Sequence, residues 1–329
     1  MRVPISELRD VTRRAILHYG YTSDEADVIL DVLMYAQLRG NNQGIIKLIG
    51  AGMPKDPDAG AVEVVRETPL SALLNGNHNQ GMVVLSLAVQ TAVEKAREHG
   101  IGLVGTYNTA SSTGAIGYYA RKIAGAGLIG CVLAGSSLFV AMHGSYEPLF
   151  GTNPIAIGVP TGDDPLVLDM ATAAMAYYGL LEAKTAGMSI PADVAYGPDG
   201  SPTTDPALAL EGAIRAFDRG YKGAALSMMV EVLTGPLVGA SFTGLGEPRS
   251  NWGNFVCALD PGLFVDGETF ERNVALLAAQ VKGAKRLPDV DEILVPGERG
   301  DRILQRAMDA GEIEVEDNLW RELNKVVGG

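Results

Sequence analysis

The chain has 329 residues and a formal charge of −13, from 26 Lys and Arg against 39 Asp and Glu. A hydrophobic share of 47% with 20% charged residues excludes general disorder, and the acidic surplus argues against nucleic acid, whose phosphates need concentrated Lys and Arg. Two cysteines, Cys131 and Cys257, exclude a disulfide framework and fit a reducing compartment.

The opening residues, Met-Arg-Val-Pro-Ile-Ser-Glu-Leu-Arg-Asp, are charged and amphipathic, unlike a signal peptide. No stretch reaches about 18 uninterrupted apolar residues, so no membrane span is expected and the protein reads as cytoplasmic. Residues 7–19 set Leu8, Val11, Ile16 and Leu17 on one helical face that ends near Gly20. Thr22 with Glu25 three residues on is a capping box, and it predicts a second helix over 26–38. Residues 39–44, Arg-Gly-Asn-Asn-Gln-Gly, break that pattern as an amide-rich loop.

A long amphipathic helix follows over 82–99, closed by Gly100 and leading into a strand over 101–104. A helix over 115–124 precedes a strand over 128–133, and a third strand falls at 166–168. Residues 171–184 read as a helix closed by Gly187, and 189–206 as a long surface loop. A buried helix is predicted over 222–233, then a glycine-rich segment over 235–253 and a strand over 255–259. Helices over 268–285 and 301–310 complete the chain. Helices alternating with short buried strands define an α/β protein, with its strands concentrated in the middle. A helical domain made from both termini (1–70 plus 270–329) is expected to flank a central α/β domain over 71–269.

Two segments match the dinucleotide fingerprint G-x-G-x-x-G, at Gly100-Ile-Gly102-Leu-Val-Gly105 and Gly125-Ala-Gly127-Leu-Ile-Gly130. The fingerprint works when it follows a strand and opens a helix, so that phosphate meets a helix N-terminus. Both copies stand the other way round, after a helix and before a strand. Their glycines read as helix C-caps, and both are decoys. No P-loop and no metal-ligand spacing is present. His18 and His99 lie near helix C-termini, where a cation favours the dipole. His78 and His143 fall in polar or glycine-containing turns, where a site role stays open.

Several short segments carry more when taken in order. Gly151-Thr-Asn-Pro154 is followed by Leu168-Asp169-Met170-Ala171-Thr172, then Gly200-Ser-Pro-Thr-Thr-Asp205-Pro206. Gly220-Tyr-Lys222-Gly223 comes next, and Pro296-Gly297-Glu298 near the end. In that order and spacing the chain resembles the malate/L-lactate dehydrogenase family, which includes sulfolactate, ureidoglycolate and diketogulonate dehydrogenases. The resemblance runs from Glu-Leu-Arg at 7–9 almost to the C-terminus. It implies an NAD(P)-dependent oxidoreductase, typically a homodimer, whose cofactor domain is not a Rossmann fold but an α/β domain with a mixed sheet. NAD or NADP would be contacted by Asp169, Met170, Ala171, Thr172, Lys222, Gly297 and Glu298. Independently of kinship, a lysine beside a glycine at a helix start is well placed for a phosphate.

The substrate motifs depart from the family. Where it usually carries Ser-His-Gly-Val-x-Arg, this chain has Asn42-Gln43-Gly44-Ile45-Ile46-Lys47, so Gln43 replaces the histidine and Lys47 the arginine. Where it usually carries Asn-Ser-x-His-Phe-Gly before Gly-Tyr-Tyr, this chain has Thr109-Ala-Ser111-Ser112-Thr113-Gly114, with Gly117-Tyr118-Tyr119 retained. Ser112 thus takes the second histidine's place. Hydride reduction of a ketone leaves an alkoxide that needs a positioned acid, which glutamine cannot be.

Three readings follow. A C=N substrate can arrive as a protonated iminium and need no histidine. Ketone chemistry can survive through another donor, for which Lys47 (if burial lowers its pKa), Tyr118, Tyr119 and His143 are candidates. Alternatively, the scaffold binds a nucleotide or metabolite without redox chemistry. Gln43, Lys47, Ser112 and His143 are the candidate catalytic residues. Asn42, Gln43, Lys47 and Tyr118 are the candidate contacts to a small carboxylate substrate.

Overall fold

The structure, a computed structural model, describes residues 1–245 and 251–328. Residues 246–250 of the glycine-rich segment lie outside the described residues. The chain opens with β1 (Arg2–Pro4), α1 (Ile5–His18), α2 (Ser23–Leu38) and a 3-10 turn, Ile45–Leu48. It continues through β2 (Glu63–Glu67), β3 (Ser71–Asn75), α3 (Gly81–His99), β4 (Ile101–Thr109), α4 (Gly117–Gly125) and β5 (Ile129–Ala134). Next come β6 (Val140–Ala141), β7 (Pro148–Phe150), β8 (Ile155–Val159), β9 (Leu166–Met170), α5 (Tyr177–Thr185), β10 (Ala195–Tyr196) and α6 (Pro206–Glu211). The last elements are β11 (Ala213–Ile214), α7 (Tyr221–Thr234), β12 (Trp252–Leu259), α8 (Gly267–Lys282), α9 (Glu298–Ala310), β13 (Glu312–Glu314) and α10 (Asp317–Gly328).

The main sheet has seven strands in the order β2-β3-β4-β12-β5-β8-β9. Only β3 and β4 run parallel; every other neighbouring pair is antiparallel. That mixed sheet is not the doubly wound parallel sheet of a Rossmann fold. A four-stranded sheet, β10-β11-β6-β7, sits over a separate small core around Val140, Leu180 and Ile214. The chain ends meet: β1 pairs antiparallel with β13, and α1 packs on α10. Terminal and central helices share one core, which runs from Leu8 and Leu33 through Leu85 to Trp320 and Leu323.

Local rules explain much of this. The Thr22 hydroxyl accepts from the Glu25 N–H at 3.3 Å while the Glu25 carboxylate accepts from the Thr22 N–H at 2.9 Å, the two halves of a capping box. Gly100 closes α3 at φ +83°, a conformation that disfavours a Cβ. Gly127, at φ +80° just beyond α4, likewise suits a helix end, whereas Gly102, Gly105 and Gly130 serve packing. A Cβ at Gly102 would stand 2.0 Å from the Ala92 carbonyl of α3, and one at Gly130 would stand 2.7 Å from the Ile123 Cβ of α4. Helices therefore rest directly on glycine positions of the sheet.

The structure corrects several boundaries. The helix expected over 171–184 begins only at Tyr177. Residues 171–176 are good helix formers, but their backbone groups are engaged elsewhere: Thr172 N–H on the Thr152 carbonyl and Ala174 N–H on that of Arg215. The strand expected over 101–104 runs on to Thr109, and that over 166–168 on to Met170. The helix expected to be buried over 222–233 leaves Met228 and Met229 45% and 50% exposed. α8 buries no residue. Strands β3 and β8 are additions that the sequence reading passes over.

Gly102→Ala should lower unfolding free energy by about 1–3 kcal/mol, since the methyl group must displace α3. Dinucleotide affinity of the folded fraction should stay unchanged. Urea unfolding with parallel cofactor titration measures both.

Candidate active site

Lys47 is carried on the 3-10 turn between the fully buried side chains of Ile45 and Leu48. The turn is held tight against α2. A Cβ at Gly44 would meet the Gln37 Oε1 at 2.4 Å, and that oxygen accepts from the Ile45 N–H at 3.1 Å. With both neighbours anchored in the core, Lys47 is drawn inward and is only 2% exposed. Its ammonium donates to the Ser112 hydroxyl at 2.9 Å and stands 3.9 Å above the ring of Tyr178. Burial is the one cause that perturbs it, and it pushes the amine down from 10.5 to about 7. The aromatic face favours the cation, but by less than desolvation opposes it.

Ser112 follows the end of β4. Its hydroxyl oxygen also accepts from the Gly114 N–H at 3.1 Å, and Gly114 adopts φ +72° to make that approach. Both acceptor positions of the oxygen are thus filled, by Lys47 and by Gly114. What remains is the O–H donor. Ser112 is set to give a hydrogen bond to a third group.

A cavity of about 420 Å³ opens onto these atoms. Asn42, Gln43, Lys47, Ser112, Asp169 and Met170 all line it, together with Ala171. Sequence reasoning therefore grouped the amide loop, the serine turn and the Asp169 segment without seeing the space they enclose. Asn42 accepts from the Gln43 amide at 3.3 Å, so the two amides form one polar edge. Asp169, at the end of β9, accepts from the Gly117 N–H at the start of α4 at 2.9 Å. The residue is exposed and lines both this cavity and a neighbouring one. Desolvation by the surrounding protein pushes its carboxyl up to about 6, against the Gly117 hydrogen bond that lowers it.

A second cavity of about 590 Å³ shares Asn41, Asn42 and Asp169 with the first and reaches Gly297. Two of its cations, Arg39 and Arg121, are both held by Asp301, at 3.1 and 3.0 Å.

The other expected residues lie elsewhere. Tyr118 is buried, its ring edge-on to Tyr35 and Tyr119, and it does not line the cavity. His143 is exposed, near the edge of Tyr221, in a separate small hollow with Arg215 and Arg219. Thr172 is fully buried and donates its hydroxyl to the carbonyls of Thr152 and Asn153, so it steadies the end of β9. Lys222 is exposed on the first turn of α7. Glu298 is ion-paired with Lys282 and Arg302 in a third hollow, and the Lys282 bond leads the causes that hold its carboxyl low.

The aromatic side chains that line the cavity are absent from the sequence-based candidates. Tyr177 stacks on Phe139 with ring centroids 4.1 Å apart, and both line the cavity with Tyr178 and Trp252. Only the late start of α5 puts the two tyrosines on its first turn, and no local sequence signal announces that. Among the described residues lining the cavity there is no histidine.

Comparison with known proteins agrees with this architecture. The Malate/L-lactate dehydrogenase family profile matches residues 3–324. The L-sulfolactate dehydrogenase of Methanothermobacter thermautotrophicus is 36% identical, over 100% of this chain and 96% of its own length. A Delta(1)-pyrroline-2-carboxylate/Delta(1)-piperideine-2-carboxylate reductase of Pseudomonas putida is 30% identical, over 97% of this chain and 95% of its own. The malate dehydrogenase structure from Entamoeba histolytica superposes with a TM-score of 0.90 at 25% identity, covering 100% of this chain and 97% of that one. Fold and family thus define an oxidoreductase. The chain belongs to the malate/L-lactate dehydrogenase family.

In the unfolded chain the Lys47 amine keeps its proton up to about 10.5, and in the fold only up to about 7. Between those values the unfolded chain binds more protons, so the fold gains stability as pH rises, by about 1.4 kcal/mol per unit. Lys47→Met should therefore be more stable than the parent at pH 6, by a few kcal/mol, with the gap closing towards pH 10. Denaturant unfolding at several pH values checks the sign.

Proposed function

We propose that this protein reversibly reduces a C=O or C=N bond next to the carboxylate of a small substrate, using NADH or NADPH. The observation that carries the reading is Lys47: a buried ammonium with no carboxylate partner among the described residues, aligned on a serine hydroxyl in a cavity. Such a group is built to meet an anion or to move a proton.

The connected cavities fit a dinucleotide. Gly117 and Gly297 leave backbone open where a Cβ would crowd Asp169 and Val167, and stacked Phe139 and Tyr177 offer a wall for a planar ring. Asp169, Met170, Ala171 and Gly297 would hold the cofactor, while the cavity geometry gives no support for contacts from Lys222 or Glu298. Bound reduced nicotinamide supplies a hydride to the substrate carbon.

The side chains supply the rest. As the C=O π bond breaks, the developing alkoxide takes the proton of the Ser112 hydroxyl, and Ser112 recovers one from the Lys47 ammonium 2.9 Å away. Reduction then needs protonated Lys47, and oxidation needs it neutral. A protonated iminium needs no acid, and the cavity without histidine suits it, as does the likeness to the Pseudomonas putida reductase. There Lys47 serves the carboxylate alone.

The amide loop and Lys47 come from residues 1–70, whereas Ser112, Asp169 and Tyr178 come from 71–269. That supports the division into a helical wing (1–70 plus 270–329) and a cofactor domain, with the site between them. Exposed Met228 and Met229 on α7, with Leu276 and Leu277 on α8, support a homodimer. No described helix is long and apolar enough to cross a membrane, and two free cysteines suit a cytoplasmic setting.

Titration with NADH and NADPH tests the foundation: no binding of either removes the redox reading. With an oxo acid, Lys47→Met and Ser112→Ala should each lower kcat by about 10²–10⁴. Parent kcat for reduction should fall as pH rises through the Lys47 titration. With a cyclic imine, Lys47→Met should chiefly raise KM, leaving kcat within a few-fold.

A further inference from the structure

We propose that the substrate is a monoanion, with one carboxylate as its only charged group and a neutral, partly apolar remainder. The inference rests on the reading of this cavity as the substrate site, and it comes from a count of charges. Among the described residues lining that cavity, Lys47 is the one cation and Asp169 the one carboxylate. The rest of the lining is neutral. Asn42, Gln43 and Ser112 present amides and a hydroxyl, while Phe139, Tyr177 and Trp252 present aromatic surface.

One anionic group can be met by Lys47, whose ammonium has a third N–H left after Ser112 and the Tyr178 face are served. A second anionic group finds no second cation among the described residues that line the cavity. Among the described residues, Arg39 and Arg121 line the adjoining cavity, and their guanidinium groups are engaged by Asp301 and Asp164. Arg299 lines the same adjoining cavity but is exposed, on the first turn of α9. Asp169 makes matters worse for a dianion, since its carboxylate lines the same cavity. An unpaired charge beside a like charge in a partly desolvated site is strongly disfavoured.

The single cation is also a lysine rather than an arginine. A guanidinium fork fixes a carboxylate at two points, whereas an ammonium meets it at one. Orientation of the substrate must then come from the remainder of the molecule, through the Asn42–Gln43 amide edge and the aromatic wall. A neutral hydrogen-bonding substituent, such as an amide or a ring N–H, matches that edge.

The deciding comparison uses an isosteric pair, 2-oxosuccinamate and 2-oxosuccinate, which differ by one negative charge. Reduction of both is followed with NADH and with NADPH. The amide should win in kcat/KM by on the order of 100-fold. Gln43→Arg, which adds a second cation, should narrow that ratio at least about tenfold. Equal or better use of the dianion by the parent protein overturns the proposal.

Calorimetric titration with malamate and malate keeps the question open to test if neither acid is reduced. Malamate binding that is lost in Lys47→Met, with malate at least about tenfold weaker, supports a monoanion site even if the redox reading fails. Tighter malate binding, or no binding of either, overturns the proposal.

Discussion

Burial of the Lys47 ammonium without a neighbouring carboxylate is the constraint on which the site depends. Ile45 and Leu48 are both fully buried, so the turn that carries them cannot rotate the lysine out to solvent without emptying two core positions. Desolvation then works against the charge, and the compensation among the described residues is one hydroxyl and one aromatic face. A lysine on the surface would be an ordinary solvated cation. Here it becomes a group whose charge responds to whatever enters the cavity, because an incoming anion restores the proton that burial disfavours.

The rest of the fold keeps that group in register with its partners. Helices α3 and α4 sit on the glycines of β4, β5 and β8, which lets them approach the sheet closely. The end of β4 delivers Ser112, and the end of β9 delivers Asp169 against the first N–H groups of α4. Thr172 contributes at one remove, tying the chain beyond β9 to residues 152 and 153. The bent, non-helical path from 171 to 176 delays α5 until Tyr177 and Tyr178 stand over the cavity.

What the sequence discloses follows the range of the forces involved. Capping at Thr22–Glu25 and the helix stop at Gly100 are local, and both are where the pattern predicts them. The order of glycines relative to helix and strand was enough to reject both dinucleotide fingerprints, and the mixed sheet agrees. Motif order identified the family, and the departures from it pointed to Gln43, Lys47 and Ser112, which share one cavity. Long-range features were hidden. Nothing near Tyr178 signals that its ring lies over Lys47, more than a hundred positions earlier. Ala-rich residues 171–176 favour a helix until distant carbonyls claim their N–H groups. Tyr118 and His143 were reasonable chemical candidates, yet packing places one among aromatic rings and the other in a separate hollow.

The state of the Lys47 amine is the central claim, and it can be observed directly. Nuclear magnetic resonance of side-chain Cε and Nζ in the folded protein, labelled at lysine and titrated with pH, reports that amine alone once Lys47→Met assigns its signal. A midpoint within about one unit of 7 is the result expected for a buried ammonium without a carboxylate partner. An ordinary midpoint near 10.5 would mean that the amine is solvated or paired, and would contradict the account of the site.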